Sequence, residues 1–186
     1  MNTARHSFQT AKVRYDGFAM LLHWVLALAI IGAFGMGLYM TGLSISPTRL
    51  KLYNWHKWAG VTILALSAVR LLWRLAHRPP ADLPMPAWQA RAAHLVHGLL
   101  YAAFFAVPLS GWAYSSAAGF PVVWFGVLPL PNLVAPDKAL AATFKLAHEW
   151  LAYGLAALVL AHLGAVVKHV VLERDGLLSR MLPGRG

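Results

Sequence analysis

The chain has 186 residues, of which 59% are hydrophobic and only 12% are charged. Soluble domains carry about a quarter charged residues, so this composition is typical of membrane proteins and excludes an ordinary soluble domain. The formal charge of +10 does not indicate nucleic-acid binding, because the basic residues flank apolar runs, where they set membrane orientation. Cysteine is absent, which excludes disulfides and iron–sulfur clusters and leaves histidine as the main ligand for a metal or haem iron.

Four apolar runs are each long enough to cross a bilayer as a helix. They cover residues 17–40, 52–76, 88–114 and 139–172. The first run follows basic residues, as the core of a signal peptide would. We predict a retained span instead, because the run is long, lacks a small-residue cleavage site and contains His23. The pattern predicts an all-α membrane protein, a four-transmembrane-helix bundle that forms one membrane domain over residues 1–186.

Proline marks each connection between the spans. Residues 41–51 are predicted to form a loop around Pro47, and four prolines between residues 79 and 86 keep the second connection extended. Pro108 is predicted to kink the third span near its far end, which membrane helices tolerate. Residues 115–137 contain four more prolines and are predicted to form a loop with a short apolar piece at the membrane interface.

The distribution of Lys and Arg predicts the orientation of the chain. The side that holds both termini carries eleven basic residues: Arg5, Lys12, Arg14, Arg70, Arg74, Arg78, Arg91, Lys168, Arg174, Arg180 and Arg185. The other side carries five, which we call the outer basic residues: Arg49, Lys51, Lys57, Lys138 and Lys145. Because Lys and Arg are retained in the cytoplasm, this excess places both termini there.

Four histidines lie inside the predicted spans at two matched depths. His148 and His162 are fourteen residues apart, which on a helix is about 21 Å of rise and about 40° short of whole turns, so both lie on one face. Counting from the span ends, His23 matches His162 toward the cytoplasm, and His56 matches His148 toward the outside. Polar side chains at such depth are costly and tend to be functional. The sequence therefore predicts two bis-histidine sites stacked across one bilayer.

Haem b fits such sites, since two axial imidazoles complete the coordination of iron and the flat macrocycle fills a bundle interior. Zinc fits less well, because it usually takes four converging ligands that include Cys or a carboxylate. Six glycines are predicted either to leave room for the macrocycle or to pack helices closely. They are Gly32, Gly35, Gly37, Gly60, Gly154 and Gly164. Arg70, fourteen residues after His56, is a candidate partner of the propionates at the cytoplasmic site.

Three further histidines lie near the cytoplasmic site. His94 and His97, three residues apart, are rivals for the cytoplasmic ligand position. Because they begin their helix near the interface, we predict instead that they contact a propionate or relay protons. His169, beside Lys168 and beyond the haem level, is a candidate quinone-binding residue, with an ordinary interfacial histidine as the alternative.

An ordered set of motifs runs through the chain. It consists of His23–Trp24, His56, Val69–Arg74, Ala93–His97, His148–Glu149, His162 and the tail segment Leu177–Pro183. This set resembles the bacterial cytochrome b561 family over nearly the whole chain. The resemblance implies a four-helix cytochrome of the bacterial inner membrane with two b haems. His23 and His162 would ligate one haem, and His56 and His148 the other.

The resemblance also implies a choice of activities. Members of the family include a superoxide oxidase, which passes an electron from periplasmic superoxide to ubiquinone. The outer basic residues are predicted to surround the entrance to the outer haem and to steer a small anion toward it, with ordinary loop charge as the alternative. We therefore predict a superoxide:ubiquinone oxidoreductase in which ubiquinone accepts electrons near His169. Electron transfer of this kind needs no catalytic nucleophile or base, and the sequence offers none at the outer site.

Two other functions are open at this point. The first is a haem b electron-relay subunit between the quinone pool and a partner redox protein, dehydrogenase or hydrogenase, with the outer basic residues binding an acidic partner. The second is a haem-carrying membrane protein without turnover. Membrane lipid is an expected partner in each case, and nucleic acid in none.

Overall fold

The computed structural model describes residues 14–182 and 184, and in this part of the chain four long helices form a bundle. The helices are α1 (Gly17–Thr41), α2 (Pro47–Ala76), α3 (Ala87–Ala117) and α4 (Lys138–Lys168). All four are long and apolar enough to cross a membrane, which confirms the predicted four-helix membrane fold. Three basic residues that contributed to the predicted orientation lie outside the described residues: Arg5, Lys12 and Arg185.

Side-chain caps fix the start of three helices. Asp16, Ser46 and Asp137 each accept a hydrogen bond from the backbone N–H three residues further on, which satisfies an amide group that has no partner inside the helix. Asp16 also accepts a hydrogen bond at 3.2 Å from Nε1 of Trp73, near the end of α2. Burial raises the pKa of Asp16, but the hydrogen bonds from Ala19 and Trp73 outweigh burial and hold that pKa below its ordinary value.

The second helix begins earlier than predicted. Pro47 lies in its first turn, where the missing N–H of proline leaves no hydrogen bond unmade. The predicted loop over residues 41–51 is therefore wrong beyond residue 46, and Arg49 and Lys51 lie on the helix. The fourth span continues past α4 as a single π-helical turn, His169–Glu173.

The long connection between α3 and α4 contains a small antiparallel hairpin where we predicted a loop. Its strands are β1 (Val123–Trp124) and β2 (Leu128–Pro129), with Val123 opposite Pro129. Nε1 of Trp58 donates a hydrogen bond to the Val123 carbonyl at 2.6 Å, so α2 holds the hairpin in place. The apolar piece of this connection therefore folds back on the outer part of the bundle.

The packing between helices is uneven. α3 packs on α4, α1 on α2 and α2 on α3, whereas neither α1 nor α2 packs closely along the backbone of α4. Pro108 lies inside α3, which continues to Ala117. One apolar core cluster takes residues from all four helices: Leu26, Ile30, Ile63, Leu100 and Leu155.

Candidate functional site

The four histidines predicted as ligands form two pairs across the bundle. The ring centroids of His23 and His162 are 6.3 Å apart with the planes at 67°, and those of His56 and His148 are 6.1 Å apart at 85°. Two imidazoles on opposite sides of one metal place their centroids about 6 Å apart, because each metal–nitrogen bond is about 2 Å long. Each pair is therefore spaced to hold a metal ion between its rings.

The apolar core cluster separates the two pairs. Leu155 lies seven residues from both His148 and His162, which is about 10 Å of helix rise in each direction. Leu26 and Ile30 follow His23 along α1 toward the same level. The chain thus has two distinct histidine sites at different depths, with hydrocarbon side chains between them.

Helix spacing at these sites fits a flat cofactor. Both pairs join α4 to a helix whose backbone does not lie close along it, whereas the backbones of α3 and α4 do. A Cβ atom would meet no atom within 4 Å at five of the six predicted glycines: Gly32, Gly35, Gly60, Gly154 and Gly164. These five glycines therefore do not serve close helix contacts in the described part of the chain, which excludes the close-packing explanation for them.

The outer pair, His56 and His148, is named for its predicted level in the membrane. Its His148 ring is held by α3. Nδ1 of His148 lies 2.9 Å from the Val107 carbonyl and 3.1 Å from Oγ of Ser110. Histidines that bind metals commonly donate the hydrogen of the other ring nitrogen to a backbone carbonyl. A hydrogen on Nδ1 that is donated to Val107 leaves Nε2 of His148 free to bind a metal.

Gly111 allows this contact, and the sequence analysis missed it. A Cβ at this position would lie 2.9 Å from Cε1 of His148, closer than side-chain atoms approach each other. The six predicted glycines lie in the other three spans, and Gly111 lies in the third. Its contact with His148, and that of Ser110, depends on how α3 packs against α4.

His56 presents a buried polar atom without an ordinary partner. Its Nδ1 makes no hydrogen bond of normal geometry within the described residues, although the Ala33 carbonyl on α1 is near enough to interact with the ring. A Cβ at Gly37 would lie 3.3 Å from Cε1 of His56, so this glycine gives the ring room against α1. Nδ1 of His56 therefore faces α1, and Nε2 is the nitrogen left for a metal between the two rings.

The inner site, formed by the pair His23 and His162 at the predicted cytoplasmic level, contains three imidazoles. The ring of His97 lies 5.4 Å from that of His162, so α3 contributes a third histidine beside the pair. His94 lies elsewhere, because its Nε2 is 3.1 Å from Oδ2 of Asp82 and both side chains are largely exposed. Of the two predicted rivals, the structure therefore brings only His97 to the inner pair.

Arg70 lies at the inner site, as its spacing from His56 predicted. It is close enough to His23 and His162 to act on both electrostatically. Its Nε donates a hydrogen bond to the Tyr101 hydroxyl at 3.2 Å, and the guanidinium of Arg74 lies 5.8 Å from the centre of the same ring. Tyr101, which the sequence analysis missed, therefore orients the arginines next to the inner histidines.

His169 is buried, and its ring is anchored by two carboxylates. Nδ1 lies 2.5 Å from Oδ2 of Asp175 and 2.6 Å from Oε2 of Glu173. The two carboxylates fix the ring through one nitrogen, and Nε2 is the nitrogen left for any other partner.

The outer basic residues fall into two groups. Lys138 and Lys145 on α4 line an open cleft of about 580 Å³ between the end of α3 and the start of α4. On α2, the amine of Lys57 donates to the Pro121 carbonyl at 3.3 Å, and the amine of Lys51 lies 4.9 Å from the centre of the Trp55 ring. Arg49 donates to the Tyr53 hydroxyl. The five cations are thus shared between two helices at one end of the bundle.

Comparison with known proteins places the chain in a family. Residues 14–184 match the family model described as prokaryotic cytochrome b561. The chain is 34% identical over 181 residues to cytochrome b561 homolog 2 of Escherichia coli (strain K12), covering 95% of each chain. It is 32% identical over 180 residues to cytochrome b561 homolog 1 of the same organism, covering 92% of this chain and 98% of the relative.

A third relative is named for an activity. The chain is 28% identical over 171 residues to a Yersinia pestis protein named probable superoxide oxidase CybB, covering 91% of this chain and 96% of the relative. The family match extends over most of the described chain and includes both histidine pairs. The chain therefore belongs to the prokaryotic cytochrome b561 family, whose members bind haem b and carry out transmembrane electron transfer in bacterial membranes.

Proposed function

We propose that this cytochrome holds two b haems, one between His23 and His162 and the other between His56 and His148. The observation that carries the proposal is the pair of ring separations, 6.3 Å and 6.1 Å, at two levels of one bundle. The absence of close backbone packing of α4 against α1 and α2 within the described residues also supports it. When bound, haem b supplies a one-electron carrier at each level. The chain's own residues hold the two carriers apart, keep water from them and orient the ligand rings.

We propose further that the chain passes electrons from superoxide at the outer surface to ubiquinone at the cytoplasmic surface, with both termini in the cytoplasm. Two superoxide anions lose one electron each and become two O₂ molecules. Ubiquinone takes up two electrons and two protons and becomes ubiquinol. The Yersinia pestis relative named probable superoxide oxidase supports this choice of donor.

The outer basic residues would attract the anion. A positive surface around a narrow entrance raises the local concentration of a small anion and can increase its association rate by roughly 10–10³ at low salt. Lys138 and Lys145 lie together at the cleft beside the start of α4, the helix that carries His148. Lys57 is adjacent to His56 in sequence and is held against the hairpin connection.

At the cytoplasmic end, Arg70 would pair with haem propionates and His169 would bind the quinone head group. Arg70 is already oriented by Tyr101 and lies close to both inner histidines. The Nδ1 atom of His169 is occupied by carboxylates, so Nε2 is the atom we assign to the quinone. His97, beside His162, is the residue we assign to a propionate or to proton transfer.

Stopped-flow mixing of the oxidised, haem-loaded protein with superoxide tests the proposed activity. We expect fast haem reduction that slows as ionic strength rises, because salt screens the steering charges. The double variant Lys138→Gln/Lys145→Gln should react about tenfold more slowly at low salt. The matched control is Arg91→Gln, which removes a cation from the opposite end of the bundle and should leave the rate unchanged. Slow reduction without salt dependence would contradict superoxide as the donor.

A second function is favoured by one observation. The cleft that contains Lys138 and Lys145 has a volume of about 580 Å³ and is open, which is more than a superoxide anion needs. It suits an acidic segment of a partner protein, as expected for an electron-relay subunit of a dehydrogenase or hydrogenase. Copurification of a stable partner in mild detergent, lost in the Lys138→Gln/Lys145→Gln variant, would select this function. Reduction of added ubiquinone by the isolated protein would exclude a haem carrier without turnover.

A further inference from the structure

Three ligand-type side chains converge at the cytoplasmic end of α4. They are His169, Glu173 and Asp175, and the nitrogen and oxygen atoms that they offer lie within 4.8 Å of one another. Both carboxylates point at the same ring nitrogen, since Nδ1 of His169 is 2.6 Å from Oε2 of Glu173 and 2.5 Å from Oδ2 of Asp175. One hydrogen on Nδ1 cannot fully satisfy two carboxylates. A single cation placed among the three atoms would interact with all of them, whereas one hydrogen on Nδ1 bonds fully to only one carboxylate.

The backbone builds this arrangement locally. The π-helical turn His169–Glu173 places its first and last residues together. Such turns are rare in proteins overall, and many of those that occur lie at functional sites. Arg174 then adopts a left-handed conformation with φ of 51°, which costs of order 1 kcal/mol or more for a residue other than glycine. This reversal of the chain brings Asp175 back to the ring of His169.

The second oxygen of each carboxylate also has a partner. Oε1 of Glu173 accepts from the Lys168 amine at 2.7 Å, and Oδ1 of Asp175 accepts from the Leu177 amide at 3.0 Å. The other oxygen of each carboxylate faces Nδ1 of His169, and the Lys168 ammonium group competes with a bound cation for the charge of Glu173. The ring is only 10% exposed, whereas the Glu173 and Asp175 side chains are 31% and 26% exposed. The histidine ring is thus held within the protein, while the two carboxylates are accessible to water.

We propose that His169, Glu173 and Asp175 form a binding site for a divalent transition-metal ion of the zinc type. One imidazole nitrogen and two carboxylate oxygens are ligands that zinc accepts at about 2.0–2.2 Å, with water completing a tetrahedron. Binding requires each carboxylate oxygen to move about 0.7 Å away from Nδ1, because two ligand atoms at about 2.0–2.2 Å from a tetrahedral ion lie roughly 3.3 Å apart. The site lies seven residues beyond His162, so it is separate from both histidine pairs. It shares His169 with the proposed quinone site but uses Nδ1, whereas the quinone is assigned to Nε2.

Zinc binding to the haem-loaded protein, purified without a histidine tag, tests the proposal. We expect equilibrium dialysis to show one zinc ion per chain at micromolar concentrations. The X-ray absorption spectrum at the zinc edge should show nitrogen and oxygen ligands, and the haem iron does not interfere with it. Asp175→Asn and Glu173→Gln should each weaken binding at least about tenfold. Lys168→Met should strengthen binding several-fold, because the ammonium group no longer competes for Glu173.

Asp82→Asn is the matched control. It removes a carboxylate that also contacts a histidine, His94, but that pair offers only two ligands. Zinc affinity should be unchanged in this variant, and an unchanged haem spectrum should show that each variant is folded. The proposal is overturned if wild type binds no zinc saturably, or if Asp175→Asn and Glu173→Gln bind it as tightly as Asp82→Asn does. The gain expected for Lys168→Met keeps the test decisive even if a carboxylate variant fails to fold.

Discussion

The two histidine pairs have nearly the same ring separation but are held in different ways. At the outer end, His148 is fixed by the Val107 carbonyl and Ser110, and Gly111 leaves space for its ring. At the inner end, no backbone carbonyl holds the ring of His162 in the described part of the chain, and a third imidazole, His97, lies beside it. The outer geometry therefore permits one arrangement of ligands, whereas the inner geometry offers an alternative.

The two pairs also differ in how close the charged side chains lie to the histidine rings. Arg70 and Tyr101 stand next to the inner pair, while the cations at the outer end lie at the surface on α2 and α4. The comparison indicates that an outer haem would be positioned by packing against α3, and an inner haem by polar groups that can rearrange. We expect the outer site to be the less tolerant of substitution.

Substitution of a predicted histidine ligand should give the largest difference between the outer and inner sites. We expect His56→Ala to lower the haem content from about two to about one per chain, since no other histidine ring contacts His148 among the described residues. His23→Ala should retain part of the inner haem, because His97 offers a second imidazole. A pyridine haemochrome assay on purified protein measures both. The double variant His23→Ala/His97→Ala should lose the inner haem completely. Equal haem losses in His56→Ala and His23→Ala would contradict the expected difference in tolerance between the two sites.

Filling the space at Gly111 should give the next largest effect. Gly111→Ala places a Cβ 2.9 Å from Cε1 of His148, and crowding of this kind typically costs about 1–3 kcal/mol. Because Val107 and Ser110 hold the ring, we expect weakened outer haem and a lower melting temperature in detergent. Gly98→Ala on the same helix is the matched control, since its Cβ meets nothing within 4 Å. Equal stability of the two variants would show that α3 does not confine His148.

Removing one hydrogen-bonding partner of His148 should have a smaller effect. Ser110→Ala deletes the hydroxyl at 3.1 Å but leaves the Val107 carbonyl at 2.9 Å. Losing an outer partner of a ligating histidine usually weakens metal binding 10–100-fold, and the remaining carbonyl should limit the loss to about tenfold or less. Haem dissociation into excess apomyoglobin measures this. A loss as large as that of Gly111→Ala would mean that Ser110, and not the carbonyl, holds the ring.

The smallest expected effect lies at the inner end. Tyr101→Phe removes the hydroxyl that accepts from Arg70, and a typical hydrogen bond contributes about 0.5–1.5 kcal/mol. We expect a small decrease in melting temperature and an altered spectrum of the inner haem alone, because Arg70 becomes free to move. Tyr153→Phe should change neither, since the Tyr153 hydroxyl has no hydrogen bond within the described residues. A change in the outer haem spectrum would contradict the assignment of Arg70 to the inner site.

Much of the architecture could be predicted from the sequence because hydrocarbon length and helix rise are fixed quantities. The first span was predicted as residues 17–40 and is Gly17–Thr41 in the structure. Depth counting also paired His23 with His162 and His56 with His148, as observed. Their role as haem ligands stays a prediction. Pro47 was misjudged because proline interrupts a helix interior but is favoured in its first turn.

Details at the ends of the spans could not be predicted, because they depend on contacts between distant residues. The hairpin at Val123–Pro129 is stabilised by Trp58, 65 residues before Val123. His94 pairs with Asp82 at the surface, whereas His97 lies beside His162 on α4. Neither contact has a signal in local periodicity.

The sequence alone determined the number of spans, the histidine levels and the membrane class, because each follows from spacing along a regular helix. Only the tertiary structure decided which imidazoles stand beside each other, and that Gly111 makes room for one of them. It also decided that two carboxylates converge on His169. These features depend on the angle and rotation at which helices pack and on where a helix stops being regular, and no rule based on residue spacing specifies either.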